Sequence, residues 1–392
     1  MVLLRSLIVL LVAAATTMAK SCSGETPHIR EYFYVGGEYI GDGAGGHIFH
    51  NQMYVEKLSP THGSTHPFAI VLMHGQAQTG TVRSTSKHLI VCLYLFPLQN
   101  FLNKPDGSCG WASLFLQQGY ELYIIDQTFR GRSAWQPAAG ATKPSTYSAE
   151  IIQQRFTTVQ NYMLWPQAVN HTQWPGTGLM GDPYFDTFYS SNVQFINNAT
   201  YQQSTVQAAG AALLDRIGIP VILVGHSQGG LLPIVIADVR PELTKGLILL
   251  EPTGPPFREA VFSNASARAW GLTDIPITYS PLVTSPGSDL VQQVVPAPSS
   301  DLVDCVLQAE EPAPRQLVNL APKPILLLTT QASYHAVYDY CTVQFLQQAG
   351  CNQTKHLQLA NVGVYGNGHM MFMEQNSDEV QGLLQQWIRN LA

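Results

Sequence analysis

Short apolar runs recur along the chain, and longer mixed stretches separate them. Beyond the first sixty or so residues these runs lie at 68–73, 120–126, 220–224, 246–250, 324–330 and 357–364. Continuous apolar runs of this length are typical of strands that are buried on both faces. Helical stretches lie between several of them, including residues 202–217 and 378–391. This alternation predicts an α/β fold with a mostly parallel central sheet and helices on both faces.

Two segments depart from that alternation. Near the start of the chain, residues 31–40 and 47–58 predict two antiparallel strands joined by a glycine-rich turn. Further on, residues 134–200 are rich in Trp, Pro, Gly and Tyr and show no clear periodicity. An insertion of that length above the active edge of a sheet is usually functional. We therefore predict one domain over residues 20–392, with a cap insertion at about residues 134–200.

The composition suits one large core and gives no sign of a nucleic-acid partner. The chain has 392 residues, 45% of them apolar, with a formal net charge of −6 and no basic run. Residues 1–19 combine Arg5, a short apolar run and small residues before Lys20, the pattern of a secretory signal peptide. That run is too short to anchor the chain in a membrane. We expect a secreted protein with no stable membrane anchor, and the sequence leaves its oligomeric state open.

Other features of exported proteins occur downstream of the predicted signal. Four Asn-x-Ser/Thr sequons are candidate glycosylation sites, at Asn170, Asn198, Asn264 and Asn352. The six cysteines are scattered rather than clustered, so disulfides are expected and a metal site is not. The pairing cannot be deduced from the sequence, and Cys341 and Cys351, the nearest pair along the chain, are the favoured local pair.

A buried strand ends abruptly in Gly-x-Ser-x-Gly at residues 225–229, and a helix is predicted over residues 231–239. Strand, motif and helix in this order are the context of a nucleophile elbow, whose serine lies in a strained turn above the sheet edge. The flanking residues must be small because strand and helix pass close together. The sequence therefore predicts Ser227 as a nucleophile rather than as a surface serine in an ordinary turn.

A serine nucleophile of this kind needs an acid and a base, in the chain order serine, acid, histidine. Three histidines follow Ser227 in the chain. His369 follows the last predicted strand on a glycine-rich loop, whereas His356 falls at the start of that strand and His335 at the start of a helix. His369 is therefore the candidate general base.

The candidate acid lies at a less usual position. The usual place, directly after the next-to-last strand, holds Gln331 and Ser333 but no carboxylate, and Asp339 lies further along in the following helix. Glu251 instead directly follows the preceding strand, at its tip. A carboxylate at the mouth of a buried strand needs a partner, because desolvating an unpaired charge is costly. We predict that Glu251 orients His369, with Asp339 as the alternative acid.

The oxyanion that forms during acyl transfer needs backbone N–H donors. One donor is expected from Gln228, the residue after the nucleophile. The other is expected from the loop after the strand at 68–73, which begins with His74 and Gly75 and offers the amide of Gln76. A His-Gly pair after a strand is also compatible with a plain turn.

Several segments together resemble an α/β-hydrolase subfamily of secreted and periplasmic serine esterases. The similarity spans most of the mature chain and is carried by HGQAQTG, PDGSCGWASLFLQQGYELYIIDQTFRGRS, GHSQGG, EPTGPP, ASYHAVYDYCTV and GNGHMMFMEQN, with LWPQAVNHTQWPGTGLMGDPYFDTFY and WGLTDIPITY in the cap. The resemblance implies an α/β-hydrolase fold and a glutamate acid after the sixth strand, which favours Glu251 over Asp339. Some members carry a Cys-Cys pair where this chain has Gln76 and Ala77, so a vicinal disulfide at that loop is absent here.

The sequence thus predicts a secreted serine hydrolase that cleaves small-molecule carboxylic esters through an acyl-enzyme, with no metal or organic cofactor. The cap residues Trp165, Trp174, Tyr184 and Phe185 either line an apolar substrate pocket or form the cap's own core. The same triad could cleave lactones or amides, or serve specialised metabolism. A non-catalytic binding protein on the same fold is a further alternative, although no triad member is missing.

Residues 82–99 do not suit the loop in which they lie, because they include the apolar, β-prone run HLIVCLYLFPL. Their codons can spell splice sites, with a GTAAG donor at Val82-Arg83 and a CAG acceptor at Gln99. Excision would remove 18 residues, a whole number of codons, together with Cys92. We interpret this segment as a translated intron, and a genuine insertion over the pocket is the alternative.

Overall fold

An eight-stranded sheet organises the chain. The computed structural model describes residues 25–80, 101–136 and 143–391, so the predicted signal peptide and the segment 82–99 lie outside the described residues. In chain order the strands of the sheet are β1 (His28–Val35), β2 (Met53–Pro60), β3 (Ala69–Met73), β4 (Leu122–Asp126), β5 (Val221–His226), β6 (Thr244–Leu250), β7 (Ile325–Thr329) and β8 (Thr354–Gln358).

The strands of this sheet lie in the order β1-β2-β4-β3-β5-β6-β7-β8. β1 pairs antiparallel with β2, and β2 pairs antiparallel with β4. All other neighbouring pairs are parallel, so the predicted mostly parallel sheet is confirmed. The carboxyl ends of β3 to β8 therefore lie at one edge, which is where open α/β sheets bind their ligands.

Helices cover both faces of the sheet, as predicted. Successive residues of a strand enter separate apolar cores; in β5, Leu223 belongs to one core and Val224 to the other. Burial on both faces explains why the strands are continuous apolar runs in the sequence. The covering helices are Ala199–Ile217, Leu232–Val239 and Asp339–Gln348 on one face, and Trp111–Gln117 and Ser377–Arg389 on the other.

Short elements fill the two long segments at the carboxyl edge of the sheet. The predicted cap contains the strands Pro144–Ser145 and Phe195–Ile196, the helices Ala149–Ile152 and Pro183–Ser190, the π-helical turn Gln153–Thr157, and the 3-10 turns Val159–Asn161 and Pro166–Asn170. The segment between β6 and β7 contains the ribbons Tyr279–Ser280 with Gln316–Leu317 and Gln292–Val295 with Cys305–Gln308, and the helix Pro286–Asp289. Both segments contribute residues to the cavity described below.

Two predicted strand regions differ in the structure. Between β1 and β2 the chain forms an additional hairpin, Glu38–Gly41 with His47–His50, so the two predicted strands are four. The last strand ends at Gln358, and the predicted run to residue 364 instead forms the 3-10 turn Leu359–Val362. The next residue, Gly363, has a φ of 86°, which breaks an extended conformation. Leu359 and Val364 are buried although they lie outside the strand, so their apolar character does not mark a strand here.

The disulfide pairing also differs from the prediction. Cys341 is bonded to Cys305, with a Cα–Cα distance of 5.2 Å, and Cys351 is a buried free thiol. The predicted bond between Cys341 and Cys351 is wrong because most of the helix Asp339–Gln348 lies between them. Cys341 is in the first turn of that helix, and the rise from Cys341 to its last residue is about 10 Å, whereas a disulfide needs Cα atoms within about 7 Å. Cys109 also takes part in a disulfide.

The structure shows how exposed the four predicted glycosylation sites are. Asn198, Asn264 and Asn352 are exposed and Asn170 is half-buried. A glycan is bulky and needs surface, so the three exposed residues are the better acceptors; glycosylation stays a prediction at all four. Within residues 25–80, 101–136 and 143–391, no helix is long and apolar enough to cross a membrane.

Candidate active site

Ser227 lies in a sharp turn between β5 and the helix Leu232–Val239. Its φ of 57° is in the left-handed region, which residues other than glycine rarely adopt. The turn has no room for side chains on its flanking glycines, since a Cβ at Gly225 would lie 2.1 Å from the carbonyl oxygen of Gly229. Strained backbone of this kind is concentrated at active sites, where the surrounding structure holds it.

Glu251 and His369 form a buried, hydrogen-bonded pair at the same edge of the sheet. Glu251 Oε2 lies 2.6 Å from His369 Nδ1, and neither residue is more than 1% exposed. Glu251 follows β6 directly, with a φ of 46°, and accepts further hydrogen bonds from Thr330 and Ser333 after β7. These bonds compensate for burial of the carboxylate. The contact between Glu251 Oε2 and His369 Nδ1 orients the imidazole ring, so that Nε2 is the nitrogen available to the cavity.

Asp339, the alternative acid, has a different partner. Its Oδ1 lies 2.9 Å from His335 Nδ1, and its Oδ2 accepts a hydrogen bond from Thr329. The His335 ring stacks on His369 at 4.8 Å between centroids with 3° between the planes. Burial lowers the pKa of His335 to about 4, so this second ring is neutral near pH 7. The structure therefore brings Glu251, and not Asp339, to His369.

Tyr334 belongs to the site although the sequence analysis did not single it out. Its hydroxyl lies 3.5 Å from His369 Nε2, and the residue lines the same cavity as Ser227. Burial raises the pKa of this phenol well above its usual range, so the hydroxyl stays protonated. Tyr334 lies in the segment ASYHAVYDYCTV that carries the family resemblance, but nothing in that segment distinguishes it from Tyr338 or Tyr340 as the tyrosine beside His369.

The candidate oxyanion loop follows β3 and packs against the turn at Ser227. A Cβ built on Gly75 would lie 3.1 Å from the Cβ of Ser227. Gln76 lines the same cavity as Ser227, and its side-chain oxygen accepts a hydrogen bond of 2.6 Å from Tyr147. Gln228 follows Ser227 in the chain. Both residues predicted to supply the oxyanion donors therefore lie beside the candidate nucleophile.

The buried side chain of Arg130 packs against this region and has no carboxylate partner among the described residues. The guanidinium of Arg130 donates to the carbonyl oxygen of Gly75 at 3.1 Å and to the side-chain oxygen of Gln228, and its Nε has no partner. Burial lowers the pKa of Arg130 to about 9, which still leaves it charged near pH 7. A fixed positive charge thus lies beside both predicted oxyanion residues, where it would favour a developing negative charge.

A cavity of about 150 Å³ opens beside Ser227 and His369. Its wall combines loops at the carboxyl edge of the sheet with residues of both long segments. The aromatic residues of the wall are Tyr147, Phe156, Phe188, Phe262, Tyr334 and Tyr338. The wall also carries the charged side chains of Arg155 and Glu259.

The four cap residues predicted as pocket candidates do not line this cavity. Trp165, Trp174 and Phe185 are buried in apolar packing of the cap and the adjoining core, and Tyr184 is half-buried. Of the two interpretations that the sequence left open, the packing role therefore describes Trp165, Trp174 and Phe185. The cap has no regular periodicity, so its sequence does not show which aromatic side chains face the cavity.

In the described part of the chain, one group of side chains has the composition and spacing of a metal site. It consists of Glu251, His335 and His369, with ligand atoms within 4.8 Å of one another. The same side chains are engaged in hydrogen bonds, Glu251 with His369 and His335 with Asp339 and Tyr338. This pattern of contacts suits an acid–base pair, and the absence of a metal cofactor stays a prediction.

The order of the strands and the turn at Ser227 define the α/β-hydrolase fold, in which a nucleophile elbow follows the fifth strand. The comparison with family models agrees with this class. The chain belongs to the alpha/beta hydrolase family, whose model matches residues 70–381.

Known proteins that are similar to this chain over most of its length include a fungal protein and a bacterial one. A protein of a fungal species (strain ATCC 74256), described as "Probable secreted lipase phiG", is 40% identical over 361 residues, which cover 92% of this chain and 90% of the fungal protein. The solved structure of a "Novel Bacterial Esterase" matches with a TM-score of 0.61 and 19% identity, covering 95% of this chain and all of the other. The second likeness shows the fold.

Proposed function

We propose that this chain is a secreted hydrolase of carboxylic esters, with Ser227 as nucleophile, His369 as general base and Glu251 as the acid that orients it. The observation that carries the proposal is the 2.6 Å contact between His369 and Glu251 at the sheet edge where Ser227 lies. The name of the 40% identical fungal protein supports both ester hydrolysis and secretion. Residues 1–19 would direct the export.

The proposed reaction has two stages. Ser227 Oγ bonds to the acyl carbon while His369 Nε2 takes its proton, and the N–H groups of Gln76 and Gln228 hold the oxyanion. The intermediate then breaks its bond to the alcohol, which leaves with the proton from His369. In the second stage His369 deprotonates a water molecule, which attacks the acyl carbon; the bond to Ser227 Oγ then breaks, His369 returns the proton to that oxygen, and the acid is released. Glu251 stabilises the imidazolium in both stages.

The acid limb of the pH–rate profile should lie below the pH that an ordinary histidine would give. Burial, followed by the neighbouring His335, lowers the pKa of His369 well below its usual value of 6.5. Because the neutral ring is the base, activity should persist as the pH falls towards that lowered pKa and be lost below it. The measurement is kcat/KM for an uncharged ester across the acidic range. A midpoint above 6.5 would contradict the assignment.

Esters with short acyl groups should be preferred. A cavity of about 150 Å³ holds a group about the size of benzene. Forcing extra methylenes into such a site costs enough to lower kcat/KM by about tenfold or more. The measurement compares p-nitrophenyl acetate, butyrate, octanoate and laurate, with matched anilides and a lactone alongside. A rise in kcat/KM up to laurate would contradict the short-chain preference, and faster cleavage of the anilide or lactone would favour those alternatives.

A further inference from the structure

A π-helical turn in the cap brings two side chains to the candidate active site. The turn is Gln153–Thr157, and Arg155 and Phe156 both line the cavity beside Ser227. The Phe156 ring stacks on the ring of His369, with 5.2 Å between centroids and 26° between planes. π-helical turns are rare and frequently occur at functional sites. Arg155 therefore reaches the cavity on an element that already contacts the candidate base.

Arg155 is a half-buried cation whose charge no carboxylate neutralises. Its guanidinium carbon lies 4.0 Å from the centroid of the Phe262 ring, and it forms no ion pair with any residue that the structure describes. The other charged residue of the wall is Glu259, whose carboxylate is paired with Arg268 at 2.7 Å. Of these two charged residues of the cavity wall, Arg155 is therefore the one that has no ion-pair partner among the described residues.

The charge of Arg155 acts on groups inside the cavity. Burial raises the pKa of the Tyr147 phenol, and the positive charge of Arg155 opposes that rise. The same charge also opposes the effect of burial on Tyr334, whose hydroxyl lies beside Ser227 and His369. An anionic group of a bound substrate would experience the same attraction.

We propose that Arg155 forms a subsite for a carboxylate, so that the preferred substrates are small esters that carry a negatively charged group near the scissile bond. The guanidinium presents a planar fork that matches a carboxylate, and its stacking on Phe262 holds the fork in place. Partial burial strengthens the attraction relative to bulk water. The inference rests on the proposed ester hydrolysis and names its substrate class.

The test compares charged esters with neutral esters of the same shape. Monomethyl glutarate carries the carboxylate on the acyl side, and its isostere has a methyl ketone in place of the carboxylate. The acetate ester of γ-hydroxybutyrate and its methyl-ketone isostere place the same difference on the alcohol side. A charge-assisted hydrogen bond should raise kcat/KM for the carboxylate member by about 10- to 100-fold in at least one pair.

Variants of Arg155 separate recognition from a packing role on Phe262. In Arg155→Gln the ratio of kcat/KM between the two members should fall to about one, because the cation is lost. Arg155→Lys keeps the charge without the fork and should retain a reduced preference. Arg216→Gln is the matched control, since Arg216 lies over the Phe33 ring at 3.8 Å and does not line the cavity. It should keep the wild-type ratio.

Two results would overturn the subsite. One is equal kcat/KM for both members of both pairs in the wild-type protein, which needs no variant to fold. The other is a carboxylate preference that survives unchanged in Arg155→Gln. Hydrolysis of p-nitrophenyl acetate by the wild-type protein distinguishes failure of the Arg155 subsite from failure of the proposed function. If this ester is hydrolysed but neither charged ester is preferred, ester hydrolysis is supported and the subsite is wrong. No turnover of any ester would contradict the proposed function itself.

Discussion

The substitutions Ser227→Ala and His369→Ala should each lower kcat for ester hydrolysis by about 10⁴- to 10⁶-fold. Ser227→Ala removes the atom that bonds to the acyl carbon, and His369→Ala removes the group that takes its proton. Their effects should not add, because the two residues act as one unit. The measurement is kcat with p-nitrophenyl acetate for both single variants and for the double variant.

The controls for this prediction address folding and contamination. Ser288→Ala changes an exposed serine remote from the cavity and should keep wild-type activity. The Ser227→Ala protein should unfold at nearly the wild-type temperature, since it loses one hydroxyl and keeps the backbone of the turn. Wild-type turnover by a well-folded Ser227→Ala protein would eliminate the proposed mechanism.

Glu251→Gln should lower kcat by about 10³- to 10⁴-fold, whereas Asp339→Asn should lower it by less than about tenfold. The amide at position 251 cannot stabilise an imidazolium, and it disturbs the tautomer that the 2.6 Å contact with His369 Nδ1 sets. Asp339 contacts His335 and Thr329 instead. Steady-state kinetics on both variants with one uncharged ester provide the measurement.

These two substitutions are well matched, because both carboxylates are nearly inaccessible and both changes preserve shape. Burial raises the pKa of Asp339 well above its usual range, so a neutral asparagine there should be tolerated. Thermal unfolding of both proteins controls for structural damage. If Asp339→Asn proves the more damaging to kcat while remaining folded, the acid has been misassigned.

The parts of the site that the sequence predicts well are those set by local constraints along the chain. A buried strand that ends in Gly-x-Ser-x-Gly before a helix can place Ser227 only at the sheet edge. Glu251 is recognisable because it directly follows an apolar strand, where a charge needs a partner. The structure brings Glu251 to His369 and brings Gln76 beside Ser227.

The parts that the sequence does not predict depend on long-range packing in irregular segments. Arg155 and Phe156 reach the cavity through a π-helical turn, and Tyr334 through a 3-10 turn. Neither kind of turn has a repeating apolar pattern, so nothing in the sequence shows which side chains face inward. The aromatic residues of the cap illustrate this, because Trp165 is buried among its neighbours while Phe156 lines the cavity.

The disulfide and the last strand show a related limit. Nearness along the chain suggested a bond from Cys341 to Cys351, but an intervening helix keeps the ends of a segment apart. Apolar residues after β8 suggested a longer strand, but a 3-10 turn follows Gln358 and Gly363 then turns the chain. In both cases the sequence does not show the path of the backbone, which decides whether two cysteines meet and where a strand ends.

Ser227 is proposed to be the nucleophile that forms the acyl-enzyme. The most direct test treats the folded protein with a fluorophosphonate and locates the adduct by mass spectrometry of its peptides. We expect one adduct per chain, on Ser227, with loss of esterase activity in proportion to labelling and no adduct in Ser227→Ala. Absence of labelling in folded wild-type protein, as a binding protein on this fold would give, or an adduct on another serine, would contradict it.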